Sequence, residues 1–224
     1  MLRELGLHDA LDATFAGEVA PPPYVPDRDR ALRVRNAGGI ARYSRELADA
    51  LAPLLAGDRF PIVLGGDCSI ALGVGLALSR AGRFGLIYID AHSDCQTPAI
   101  SGTGGVAGMP LAMNGTHIRV RDLEEIRRAG AADIAAAMLD DFSARGVERS
   151  WIHLDVDVLN PEIMPAVDSP DPGGLYEAEL LELLRPLLAS GRVAGMHVTI
   201  YDPDRDPDGS AGRLLVRLLT EAFA

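Results

Sequence analysis

A chain of 224 residues with 48% hydrophobic and 24% charged residues carries enough apolar content to bury a substantial core, which excludes disorder as the whole answer. Its formal charge of −11, without a basic run, argues against a nucleic-acid surface and makes small cationic molecules the natural electrostatic partners. There is no run of roughly 18 apolar residues to span a membrane and no signal-peptide pattern at the start, and two cysteines build no disulfide framework, so the expected setting is the reducing cytoplasm.

Taken in chain order, residues 1–37 include Ala20-Pro21-Pro22-Pro23-Tyr24-Val25-Pro26, whose prolines predict an extended surface wrap. Ile40, Tyr43, Leu47, Leu51 and Leu54 recur at helical spacing, predicting a helix over 38–57 that ends at Gly57-Asp58. A short apolar strand at 61–64 leads to Gly65, residues 69–82 read as a helix, and residues 84–89 read as a central strand ending at Asp90. That rhythm predicts parallel strands joined by right-handed crossovers. Residues 98–115 form a glycine-rich loop suited to lining a site, and helical periodicity returns over 122–146. His117 reads as a surface residue. Alternation over 151–158 sets Trp151, His153, Asp155 and Asp157 on one strand face. A loop at 161–174, a helix at 176–190, a strand at 193–201 and a helix at 213–223 complete a single domain over residues 1–224. Residues 202–209 read as a solvated acidic turn.

Three segments concentrate cation-binding groups at predicted strand ends: Gly65-Gly66-Asp67-Cys68-Ser69, Asp90-Ala91-His92-Ser93-Asp94 and Asp155-Val156-Asp157. Open α/β sheets build their sites along that edge. Asp90, His92 and Asp94 alternate, so a sharply turning strand end aims all three at two adjacent ions. A carboxylate-rich donor set favours Mn²⁺, with Fe²⁺ or Zn²⁺ as alternatives. Two such ions about 3.5 Å apart lower the pKa of water toward neutrality, which makes hydrolysis the expected chemistry. Any one of these aspartates could instead be a turn former, but three converging segments favour a site.

These blocks resemble the signatures of the ureohydrolase family of arginases, agmatinases and formiminoglutamases. The family's Gly-Gly-Asp-His-Ser stands here as Gly65 to Ser69, and its Asp-Ala-His-x-Asp as Asp90 to Asp94. Its Asp-x-Asp block and following Asp-Pro stand as Asp155-Val156-Asp157 and Asn160-Pro161, and its Pro-Gly-Gly-Leu as Pro172-Gly173-Gly174-Leu175. The resemblance covers about residues 38–220. It implies a three-layer α/β/α fold with a mainly parallel sheet, arginase-like but shortened. The implied reaction is hydrolysis of a carbon–nitrogen bond in a small guanidino, hydroxyguanidino or formimino compound. By position it implies Cys68, Asp90, His92, Asp94, Asp155 and Asp157 as ligands of two Mn²⁺ ions. Asp94 would also orient the attacking water, Gln96 and Thr97 would contact the cationic or amidine substrate, and copies of the chain would assemble into a homo-oligomer. The alternative is a metal-binding homologue with little or no catalytic activity.

Departures from the family pattern sharpen these expectations. Cys68 replaces a histidine, a form that resembles the hydroxyarginine-cleaving enzymes of D-cycloserine biosynthesis. With a thiolate the ligands carry five negative charges against four positive ones, so the ions become weaker Lewis acids. Ala107 stands where a proton-shuttling histidine is expected, and Ile200 where a glutamate holds the guanidinium, so arginine is a poor expected substrate. His197 is a candidate for the vacant acid role, and His153 is either an outer partner of the site or a satisfied core histidine.

Overall fold

The computed structural model describes residues 1–113 and 118–224; His117 and the end of the 98–115 loop lie outside the described residues. Strands β1 (Ile62–Leu64), β2 (Phe84–Ile89), β3 (Arg149–Asp155) and β4 (Val193–Thr199) pair in parallel in the order β1-β4-β3-β2. The helices are α1 (Leu7–Ala10), α2 (Ala37–Leu55), α3 (Ile70–Ala81), α4 (Pro110–Met113), α5 (Leu123–Ala129), α6 (Ala131–Ala144), α7 (Glu177–Ala189) and α8 (Ser210–Phe223). Among the described residues, no helix is long and apolar enough to cross a membrane.

Helices cover both faces of the sheet, which makes the expected three-layer α/β/α arrangement. On one face Ile87, Ile152, Leu154 and Met196 pack with Leu184 and Leu187 of α7 and Leu215 and Leu219 of α8. On the other, Trp151 packs with Leu47 and Leu51 of α2 and Val74 and Leu78 of α3. Central strand β3 is therefore buried on both sides from Ser150 onward, as the parallel strands of α/β proteins are. Gly195 on β4 makes room for the indole, since a Cβ there would collide with the Trp151 ring.

Local chemistry moved three predicted boundaries. Strand β3 stops at Asp155, because the Asp155 carboxylate accepts from the backbone N–H of Asp157 at 2.9 Å and turns residues 156–158 into a 3₁₀ turn. Asp157 thus leaves the strand face that alternation gave it. The helical stretch at 122–146 breaks at Gly130, whose φ of 94° is left-handed, and Asp122 caps α5 by accepting from Glu125 N–H at 2.8 Å. Helix α8 begins at Ser210, three residues earlier than periodicity placed it.

Asp206 corrects the reading of 202–209 as a solvated turn. It is buried, and its carboxylate accepts from Ala211 N–H at 3.2 Å, Gly212 N–H at 2.8 Å and the Tyr201 hydroxyl at 2.7 Å. The two amides are donors that the first turn of α8 cannot satisfy internally. Asp206→Ala is expected to strand all three donors and cost about 2–3 kcal/mol, a fall in Tm of roughly 5–10 °C. Calorimetry checks this, and a loss under about 1 kcal/mol would mean that water replaces the carboxylate.

Candidate metal centre

Parallel register arranges one face of the sheet in polar rows. Tyr88 faces His153 across β2 and β3, and His153 faces His197 across β3 and β4. One row further along, Asp155 faces Thr199, and Asp90 follows the end of β2 two residues after Tyr88, on the same side. Cys68 joins this row from the turn between β1 and α3. Gly65 N–H donates to Val198 C=O at 3.2 Å and Ile200 N–H to Gly66 C=O at 3.0 Å, so pairing continues past the strand ends. The Cys68 thiol then donates to Asp155 Oδ2 at 2.7 Å and lies 3.5 Å from Thr199 Oγ1.

Two overlapping groups of donor atoms result, each within 4.8 Å: Cys68, Asp90, His153 and Asp155 form one, and Asp90, His92 and Asp157 the other. Asp90 belongs to both. In the second group His92 Nδ1 lies 2.9 Å from Asp157 Oδ2, Ala91 N–H donates to Asp157 Oδ1 at 3.2 Å, and His92 N–H donates to Asp90 Oδ1 at 2.6 Å. Asp94 stands beside these groups, with the Tyr88 hydroxyl donating to its Oδ2 at 2.7 Å. Its φ of 44° is left-handed, which aspartate tolerates better than most residues. The site opens at His92, whose side chain is 41% exposed while those of Asp90 and Asp157 are 2% and 3% exposed.

Burial is the main cause that pushes the Asp90 and Asp94 carboxyls up to about 6, with the Asp90 charge adding to it at Asp94. Burial, then the neighbouring carboxylates, also holds Asp155 and Asp157 above the ordinary value. The Cys68 thiol is raised far above the usual thiol range by burial and then by Asp155. Among the described residues the four aspartates have only His92 as an ion-pair partner, at Asp90 and Asp157, and no arginine; the His153 ring 3.5 Å from Asp90 Oδ2 is neutral. Among the same residues, buried Asp90 Oδ2 has no hydrogen-bond partner. Crowded carboxylates of this kind need protons or cations for compensation. Four carboxylates, an imidazole and a thiol therefore fit divalent cations, with Asp90 placed to be shared.

Other predicted residues fall around this cluster. Gln96 and Thr97 are exposed on the following loop, tied down by Gln96 N–H donating to Gly108 C=O at 2.9 Å and by Thr97 C=O accepting from Ser101 N–H at 3.0 Å. Ile200 holds a left-handed φ of 73° and packs its aliphatic side chain against the main core, so no carboxylate stands there. Ala107 lines a separate recess of about 1600 Å³, largely apolar and lying against the N-terminal segment, whose walls include none of the four aspartates. His197 does not suit the vacant acid role, because it is fully buried with both ring nitrogens engaged, one by Trp151 and one by His153. Tyr88 was absent from the expected site, since an aromatic residue inside a strand reads as core. Its signal was its position, two residues before Asp90 on the same face.

The profile of the Arginase family matches residues 2–116 and 112–224. The arginase of Brevibacillus brevis is 27% identical over 224 residues, covering 82% of this chain and 75% of that protein. Among solved structures, the arginase from Bacillus caldovelox superposes with a TM-score of 0.87 at 24% identity, covering 100% of this chain and 90% of that one. Proclavaminate amidinohydrolase from Streptomyces clavuligerus superposes with a TM-score of 0.75 at 23% identity, covering 97% of this chain and 77% of the other.

Proposed function

Because the chain belongs to the arginase family, whose members are amidinohydrolases, we propose that it uses two divalent cations, Mn²⁺ first, to hydrolyse a carbon–nitrogen bond of a small guanidino, hydroxyguanidino or formimino compound. The observation that carries this reading is the sharing of Asp90 between two compact donor groups. Cys68, Asp94 and Asp155 with Asp90 would hold one cation, and His92 and Asp157 with Asp90 the other. When bound, such cations would acidify water by several pKa units and stabilise the charge that develops on the oxygen and nitrogen atoms as the trigonal carbon becomes tetrahedral.

Asp94 is the proton carrier in this reading. The Tyr88 hydroxyl donates to one carboxylate oxygen at 2.7 Å and so fixes the group beside the donor cluster, where it would take a proton from the attacking water and return it to the leaving amine. The loop carrying Gln96 and Thr97 borders the mouth at His92 and is the surface against which the substrate's tail would lie. Ile200 offers no countercharge, and a buried cation without a partner is costly. That favours reacting groups less basic than arginine's guanidinium, of which hydroxyguanidino and formimino groups are the nearest.

Elemental analysis of protein prepared with Mn²⁺, combined with assays for urea, hydroxyurea and formamide on a substrate panel, tests the proposal. Two ions and release of one product support it; two ions with no turnover would leave a metal-binding homologue. Cys68→His is expected to keep both ions and to move the alkaline pH–rate profile down by about one unit, the scale on which one nearby charge shifts a pKa. An unchanged profile would remove the charge argument made from the thiolate.

A further inference from the structure

Behind the carboxylates runs a buried row of rings that the chemistry above does not use. Trp151 Nε1–H donates to His197 Nδ1 at 2.7 Å, His197 Nε2 lies 2.5 Å from His153 Nδ1, and His153 Nε2 lies 3.5 Å from Asp90 Oδ2. All three ring residues are fully buried. Register builds the row: His153 faces His197 across β3 and β4, and Trp151 lies two residues earlier on the same face. Tyr88 stacks on the His153 ring, with centroids 3.8 Å apart and planes at 11°, and so fixes the plane in which that ring lies.

The direction of donation along the row follows from the indole. An indole N–H only donates, so His197 Nδ1 accepts and carries no proton. Neutral His197 then bears its proton on Nε2 and donates it to His153 Nδ1, which accepts in turn. His153 is left with its one proton on Nε2, the atom that faces Asp90. An imidazolium at His153 would require His197 to be an anion, so the same count excludes it. The count also removes the Nε2 lone pair, although the His153 ring supplies one of the donor atoms grouped with Cys68, Asp90 and Asp155. Among the described residues, buried His153 Nε2 and Asp90 Oδ2 both lack a hydrogen-bond partner, which leaves each as the natural complement of the other.

We propose that His153 is a positioning residue: the Trp151–His197 pair locks it as an Nε2–H donor, and that N–H orients the Asp90 carboxylate, leaving the remaining lone pairs of Asp90 for the cations. The effect on cations rests on the two-cation reading, whereas the order of protons along the row stands without it. Nitrogen-15 NMR of the imidazoles in the unmodified, metal-free protein is expected to show both His153 and His197 as Nε2–H tautomers. An Nδ1–H tautomer or an imidazolium at His153 would overturn the proposal. Calorimetric titration with Mn²⁺ supplies the second test. His153→Leu is expected to weaken binding by about 10–100-fold, the range seen when outer partners of ligands are removed, and His153→Gln, whose amide N–H reaches the place of Nε2–H, is expected to recover most of it. Equal losses in the two variants, or a loss in neither, would overturn the orienting role, and the disappearance of one bound ion from His153→Leu alone would make His153 a ligand. If the native protein binds no Mn²⁺ at all, the two-cation reading fails, and the proposal stands or falls on the tautomers.

Discussion

Asp90→Asn is expected to lose both bound cations and to lower amidinohydrolase activity by about a thousandfold or more, whereas Asp157→Asn loses one cation. Asp90 alone belongs to both groups of donor atoms, while Asp157 belongs to one. The electrostatic help that cations give a developing charge is several kcal/mol, and each 1.4 kcal/mol is about a tenfold change in rate. Asparagine keeps the shape of the side chain and an oxygen to accept from His92 N–H, the bond that Asp90 Oδ1 makes at 2.6 Å. The variant should therefore fold. It removes one negative charge from a crowd of four, which offsets the donor-to-donor contact of its amide with His153 Nε2–H, so in the absence of metal its Tm is expected to stay close to that of the parent. Elemental analysis gives the ion count, and circular dichroism gives the Tm. Two ions per chain in Asp90→Asn would sink the shared-carboxylate arrangement on which the function rests.

What could be read from the residues, and what could not, divides along the line between local and distant causes. Strand β2 has the ends that its composition gave it, Phe84 and Ile89, because an apolar run closed by Asp90 is a local signal. Asp90, Asp94 and Asp155 fall close together because parallel strands must all end on one edge. Asp157 was misassigned to the strand face because periodicity carries no term for a side chain that captures the next turn's N–H, as Asp155 does. Gly130 does not interrupt the helical period, because helix-forming residues flank it on both sides, Leu123–Ala129 before and Ala131–Ala144 after, and only its left-handed φ breaks the run. Asp206, set among prolines and other acids, looks solvated until the start of α8 packs over it. The bond from Trp151 to His197 joins residues 46 positions apart, and only the register between β3 and β4 brings them together. The general chemistry of the site was local; its proton order was not.

The metal-free protein is expected to lose stability as pH rises above about 6.5, and Mn²⁺ to cancel that loss. The Asp155 and Asp157 carboxyls are held above their ordinary values by burial first and by neighbouring carboxylates next. His92 is raised by Asp157 and Asp90 despite the lowering effect of burial. Each of these groups keeps a proton in the folded chain that the unfolded chain has already released, so stability falls as pH rises through the folded values. Below pH 6.5 an opposing effect operates. Complete burial lowers His153 to about 3 and His197 well below its ordinary value, so folding is resisted while the unfolded histidines are charged, and stability from them grows as pH rises to 6.5. In that lower range Asp90 and Asp94, raised to about 6, join Asp155 and Asp157 in holding protons that the unfolded chain has released, so four carboxyls act against two histidines and no net rise results. Above it only the downward trend remains. One excess proton changes stability by about 1.4 kcal/mol per pH unit, so a rise from pH 6.5 to 8.5 should cost roughly 3 kcal/mol, or about 10 °C in Tm. Cations that bind the folded chain displace those protons and bind more tightly as pH rises, so the loaded protein should show a flat or rising Tm over the same range. Thermal melts across that range with chelator and with Mn²⁺ measure both curves; a metal-free Tm that holds or climbs would mean the carboxylates are not crowded enough to need a cation.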